Sequence, residues 1–119
     1  VVLCDRYADS TLAYQGYGQG VAAETIREIY RLTLGDFRPD LTFILDLPAE
    51  TGLERASARR EGGERYEGMG LAFHQRLREG FLEIAAAEPE RCQVIDAAAD
   101  AGSVTERLLE ALGKRLEAA

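Results

Sequence analysis

VVLCDRYADSTLAYQGYGQG, residues 1–20, passes within a few positions from an apolar run to a dense set of polar and aromatic groups. Val1, Val2, Leu3 and Cys4 show no polar alternation, the pattern of a strand buried on both faces. They lead directly into Asp5, Arg6 and Tyr7, an acid, a base and a phenol at the end of that predicted strand. Ligands of open α/β sheets collect there, outside the carboxyl ends of the strands. Ser10, Thr11, Tyr14 and Gln15 follow at spacings near one helical turn, so several of them can share a face. Arg6 offers a guanidinium to a phosphate, and the short polar groups suit the other end of a small phosphorylated molecule.

The remaining chain alternates helical and strand patterns. The glycines of GYGQG (Gly16, Gly18, Gly20) read equally as a flexible turn or as a loop that closes over ligand; their spacing is not a dinucleotide fingerprint. Residues 22–34 carry an apolar stripe of helical period, stopped at Gly35, and Pro39 prevents its resumption. Residues 41–47 (LTFILDL) form a second predicted buried strand, ended by Pro48; Asp46, near its end, reads as a ligand or, more commonly, as a carboxylate capping the next turn. A helix is predicted over 49–60, and RREGGERYE at 59–67 groups Arg59, Arg60 and Arg65 around Gly62 and Gly63. On composition alone that charged loop is mobile, solvated surface. Residues 71–87 form a long predicted helix with Phe73, Leu77, Phe81 and Ile84 inward. His74, without ligand-type partners at metal spacing, reads as structural or exposed, and Arg76 and Arg78 as site-facing or as a solvated helix face. A third strand at 92–95 and a last helix at 103–116, begun by a Ser103–Glu106 capping box, complete the pattern. Strands alternating with helices imply an α/β fold with a parallel sheet.

Composition narrows the function classes. At 119 residues the chain is one domain or part of one. A net charge of -7 argues against a nucleic-acid surface, which would need a basic face, but leaves a nucleotide ligand open because that responds to local arginines. No apolar run reaches the length of a membrane span. Cys4 and Cys92 both lie in apolar runs and read as buried free thiols, pointing to a reducing, cytoplasmic setting. The sequence begins at Val1 without a Met.

DRY followed by STLAYQG resembles the substrate-binding segment of the thymidylate kinases, a branch of the P-loop nucleoside monophosphate kinases. GDFRPDLTFILDLPAETGLERA at 35–56, GERYE at 63–67, FHQRLREGFLEIA at 73–85 and QVIDA at 93–97 agree in the same order. The resemblance implies transfer of the γ-phosphoryl of ATP to thymidine monophosphate (dTMP) with Mg²⁺, by a cytoplasmic homodimer that binds neither nucleic acid nor membrane. It places catalytic roles on Asp5, Arg6 and Arg65. Asp5 would orient the Mg²⁺ shell through water, or the acceptor phosphate, and Arg6 would clamp that phosphate. Thr11 would meet the thymine edge and Tyr14 the sugar, disfavouring a 2′-hydroxyl, with Ser10 and Gln15 beside them. A lid at about 59–68 would bring Arg65 to the transferring phosphoryl group and Arg59 or Arg60 to ATP, with Asp96 bordering the adenine. Gln19 stands where the family's glycine loop carries a basic residue.

No G-x-x-x-x-G-K-[ST] occurs in these residues. The resemblance therefore implies the C-terminal part of a single kinase domain, an incomplete P-loop nucleoside monophosphate kinase sheet with flanking helices. Its phosphate-loop strand would lie between residues 1–4 and 41–47, and the chain alone is expected to be inactive. A kinase of another nucleoside or nucleotide, or a non-catalytic nucleotide-binding product, stays open on the residues alone.

Overall fold

The computed structural model describes residues 1–59 and 68–119. Its centre is a parallel pair of strands, β1 (Thr42–Asp46) and β2 (Cys92–Asp96), in the register Thr42↔Cys92 to Asp46↔Asp96. Both are short apolar runs that end in an aspartate. Parallel strands require a long crossover, supplied here by α3 (Ala49–Arg59) and α4 (Leu71–Ala87) on either side of residues 60–67. The predicted helix 71–87 matches α4 end for end. Of the lid expected at about 59–68, residues 60–67, with Arg60 and Arg65, lie outside the described residues, and Arg59 borders them.

The core sits where α4 crosses the pair. Phe73, Leu77, Ile84 and Ala85 of α4 bury themselves against Ile44, Cys92 and Ala13, with Phe73 only 2% exposed. Removing apolar side chains from water at such a crossing is the main stabilising term of the fold. On the other face of the pair Ile95 is buried, and α5 (Ala101–Glu117) packs against β2. Leu45 remains half exposed.

Residues 1–4 differ from the sequence expectation. They form no strand, and Val2 and Leu3 are 92% and 91% exposed. A parallel strand exists only as a member of a ladder, and β1 spends its described pairing on β2. Without a neighbour the apolar run stays extended in water, and Cys4 is exposed rather than interior. Cys92 is buried as expected, and burial raises its thiol pKa.

The Gly16–Gly18 stretch is likewise neither a turn nor a closing loop. A short helix, α1 (Ala8–Thr11), continues without a break into a π-helical segment, Leu12–Gly18. Wide π turns are rare and concentrate at functional sites. Two glycines let this segment approach α4: a β-carbon on Gly18 would stand 2.6 Å from the Phe73 ring, and one on Gly80 2.5 Å from the Tyr17 ring. The amphipathic α2 (Ala23–Leu34) follows and stops at Gly35, whose φ of 61° no side-chain-bearing residue adopts cheaply. The last helix begins earlier than the capping-box reading has it. Asp100 is its N-cap, and the Ser103 N–H and hydroxyl donate to the Asp100 carboxylate at 3.0 and 2.7 Å.

Candidate nucleotide site

Arg6 and Tyr14 are the two predicted site residues that the fold brings into contact. Arg6 Nη2 donates to the Tyr14 hydroxyl at 3.2 Å, and its guanidinium carbon lies 5.1 Å from the ring centroid, a cation–π distance. Arg6 stays exposed and has φ of 64°, the left-handed region that non-glycine residues seldom occupy. Such backbone costs on the order of 1 kcal/mol or more and persists only where its surroundings impose it. Tyr14 is fixed from behind, its ring 6.4 Å from that of Phe73 and 6.3 Å from that of Phe81. The guanidinium has five donors and Tyr14 engages one, so the planar fork suits an anion.

Around this pair the other predicted residues take distinct places. Asp5 lies in an exposed bend immediately before Arg6, and Ser10 is half-buried in α1, its N–H donating to the Tyr7 carbonyl. Gln15 belongs to the π-helical segment, where its carbonyl accepts from Val21 N–H at 2.9 Å. Thr11 lines a cavity of about 640 Å³ with Tyr7, Asp9, Tyr30, Arg38 and Arg91; Arg6 and Tyr14 are not part of that lining. Gln19 is exposed beyond the segment's end.

Arg59 and Asp96 belong to other elements. Arg59 closes α3 and is exposed. Asp96 closes β2 and caps its own loop: Ala98 N–H donates to Oδ1 at 2.9 Å, and Arg107 lies 3.2 Å from Oδ2. Those contacts hold the Asp96 carboxyl below the usual range, the Ala98 N–H foremost. The Asp46 carboxylate takes a two-point ion pair from Arg78 at 2.7 and 3.0 Å. Arg76 donates to the Gly18 carbonyl, and His74 meets Phe73 edge-on at 5.3 Å. Among the described residues no group of three His, Cys, Asp or Glu side chains is placed to hold a metal ion. Magnesium on a nucleotide needs only one or two carboxylates beside the phosphates, and Asp5 is of that kind.

Two groups, Arg55 and Arg91, escaped the sequence reading, and Tyr7, which it named, takes a structural place. Tyr7 makes edge contacts with Tyr30 and Phe37, which tie the start of α1 to α2, and burial raises its phenol pKa. Arg55 spans from α3 to the carbonyls of Ala97, Ala98 and Ala99 at 2.8, 2.8 and 3.3 Å, holding the loop after β2. Arg91 grips Asp9 with two bonds of 2.8 and 3.0 Å while reaching Thr42 and Glu88. Asp9 and Arg91 stand 82 positions apart, and no periodicity announces such a pair.

The chain is similar to known proteins over most of its length. The family model described as Thymidylate kinase matches residues 1–108. The curated thymidylate kinases of Bradyrhizobium diazoefficiens and Caulobacter vibrioides are each 55% identical to this chain, over 97% and 98% of it and 51% and 55% of their own lengths. The crystal structure of thymidylate kinase from Ehrlichia chaffeensis matches with a TM-score of 0.63 at 34% identity, covering 92% of this chain and 46% of that one. The chain spans about half the length of the curated relatives it matches. A match over most of its residues, in the segments that build the Arg6–Tyr14 pair, means that the chain belongs to the thymidylate kinase family.

Proposed function

We propose that this chain supplies the acceptor-binding half of an enzyme that transfers the γ-phosphoryl group of ATP to dTMP, giving thymidine diphosphate. The observation that carries the reading is the Arg6–Tyr14 contact at the end of the N-terminal apolar run. Phosphoryl transfer asks a protein for positioning and positive charge rather than covalent chemistry. Arg6 binds the acceptor phosphate, Tyr14 orients the guanidinium and borders the sugar with Ser10 and Gln15 beside it, and Thr11 meets the thymine edge. Arg65, with Arg59 or Arg60, closes on the ATP phosphates from the 59–68 segment, and Asp96 borders the adenine. Mg²⁺ carried on the triphosphate neutralises charge when bound, and Asp5 is the residue that would hold it through water.

The phosphate-binding loop is contributed by residues beyond these, and the active protein is a cytoplasmic homodimer. The test is a coupled assay of nucleoside diphosphate formation by the intact protein with dTMP in competition with other monophosphates. Preferential turnover of dTMP, lost in Arg6→Ala, supports the reading. Turnover that is indifferent to the base, or unchanged in Arg6→Ala, overturns it.

A further inference from the structure

We propose that Arg91 is a positioning residue for the acceptor-binding segment, acting through Asp9 to set the attitude of α1 and hence of Arg6 and Tyr14; this rests on the function proposed above.

The far end of this segment is held by its packing on α4, but its start is less constrained: α1 contributes four residues ahead of the π-helical segment, and no side chain caps its N-terminus. Arg6 lies two residues before Ala8, at φ 64°, so the attitude of α1 sets where the backbone carrying the guanidinium starts. Something outside must fix the angle.

Arg91 is built to do so. It immediately precedes β2, and its fork meets both oxygens of Asp9 in α1, at 2.8 and 3.0 Å. Nη1 also donates to the Thr42 hydroxyl at the first residue of β1, at 2.8 Å, and Nε donates to Glu88, the residue that ends α4, at 2.6 Å. One side chain thereby references α1 to the two strands and to the core helix. Arg91 and Asp9 are 15% and 20% exposed along their side chains, so solvent screens the pair little. A two-point guanidinium–carboxylate contact also fixes direction, which a single charge does not.

The contact shares no residue with the Arg6–Tyr14 contact, so the expected signature is selective. In the intact protein, Asp9→Asn and Arg91→Lys raise the dissociation constant for dTMP about tenfold, a displaced charge-assisted contact, while that for ATP stays within about twofold. Saturating dTMP restores most of the turnover. If a variant is too unstable to assay, Thr42→Val trims the same cluster and gives a smaller rise with the same selectivity. Equal weakening of both nucleotides, or no change in either, overturns the proposal. Loss of all dTMP turnover in the unsubstituted protein would instead refute the function itself.

Discussion

Gly80 lies flat against the Tyr17 ring, where a β-carbon would stand 2.5 Å from Cγ. In a solvent-facing helix, replacing glycine by alanine adds about 0.5–1 kcal/mol of stability. Here the sign reverses. Gly80→Ala forces α4 and the π-helical segment apart and costs about 1–3 kcal/mol. Gly113→Ala in α5, where nothing lies within 4 Å, is stabilising by the ordinary helical amount. Urea midpoints of the two variants, moving in opposite directions, check the prediction.

Arg6 separates backbone strain from ligand affinity. Arg6→Ala and Arg6→Gly both lose the guanidinium and both weaken dTMP binding. At φ 64° alanine keeps the left-handed penalty that glycine lacks. Arg6→Gly is therefore more stable than Arg6→Ala by about 1 kcal/mol, as thermal melts of the two proteins will show. Equal melts would mean that the backbone relaxes once the side chain is gone.

Cysteine labelling reports on residues 1–4. In the 119-residue chain Cys4 is exposed and takes a maleimide, whereas Cys92 reacts only after denaturation. In a protein that carries the phosphate-loop strand, residues 1–4 gain a ladder partner and Cys4 becomes protected. Mass spectrometry of peptides from the two labelled proteins distinguishes the states.

The Asp100 carboxyl is held below its usual range, chiefly by the Ser103 hydroxyl and then by the Ser103 N–H. A carboxylate with a depressed folded-state pKa adds stability above its unfolded pKa, and that stability is lost as pH falls through the folded value. Helix α5 therefore weakens on acidification below about pH 4. Asp100→Asn keeps a capping oxygen without the charge and flattens part of that acid limb. Asp96 and Glu110, also depressed, retain the rest. Urea midpoints measured across the acid range for both proteins provide the comparison.

Local patterns told most of the fold. The stripe from Phe73 to Ile84 and the stops at Gly35 and Pro48 placed helices and strands to within a residue or two, because period and punctuation are local properties. Residues 1–4 misled because an apolar run shows suitability for a ladder and not the presence of a neighbour. Gly16 and Gly18 misled for the converse reason: their freedom serves close packing against Phe73 rather than movement. Of the candidate site, Arg6 and Tyr14 were visible because eight positions of helical sequence join them. Asp9 with Arg91, and Arg55 with the Ala97–Ala99 carbonyls, were invisible because their partners meet only after the crossover is complete.

That long reach also orders events during synthesis. Asp9 of α1 is made 82 residues before Arg91, the side chain that grips it. Contacts of such sequence separation form late, after their loop-closure entropy has been met. A nascent polypeptide halted before Arg91 would carry Arg6 and Tyr14 without the contact that sets the angle of α1, so under the proposed function competence for the nucleotide arrives with β2 and not with Arg6.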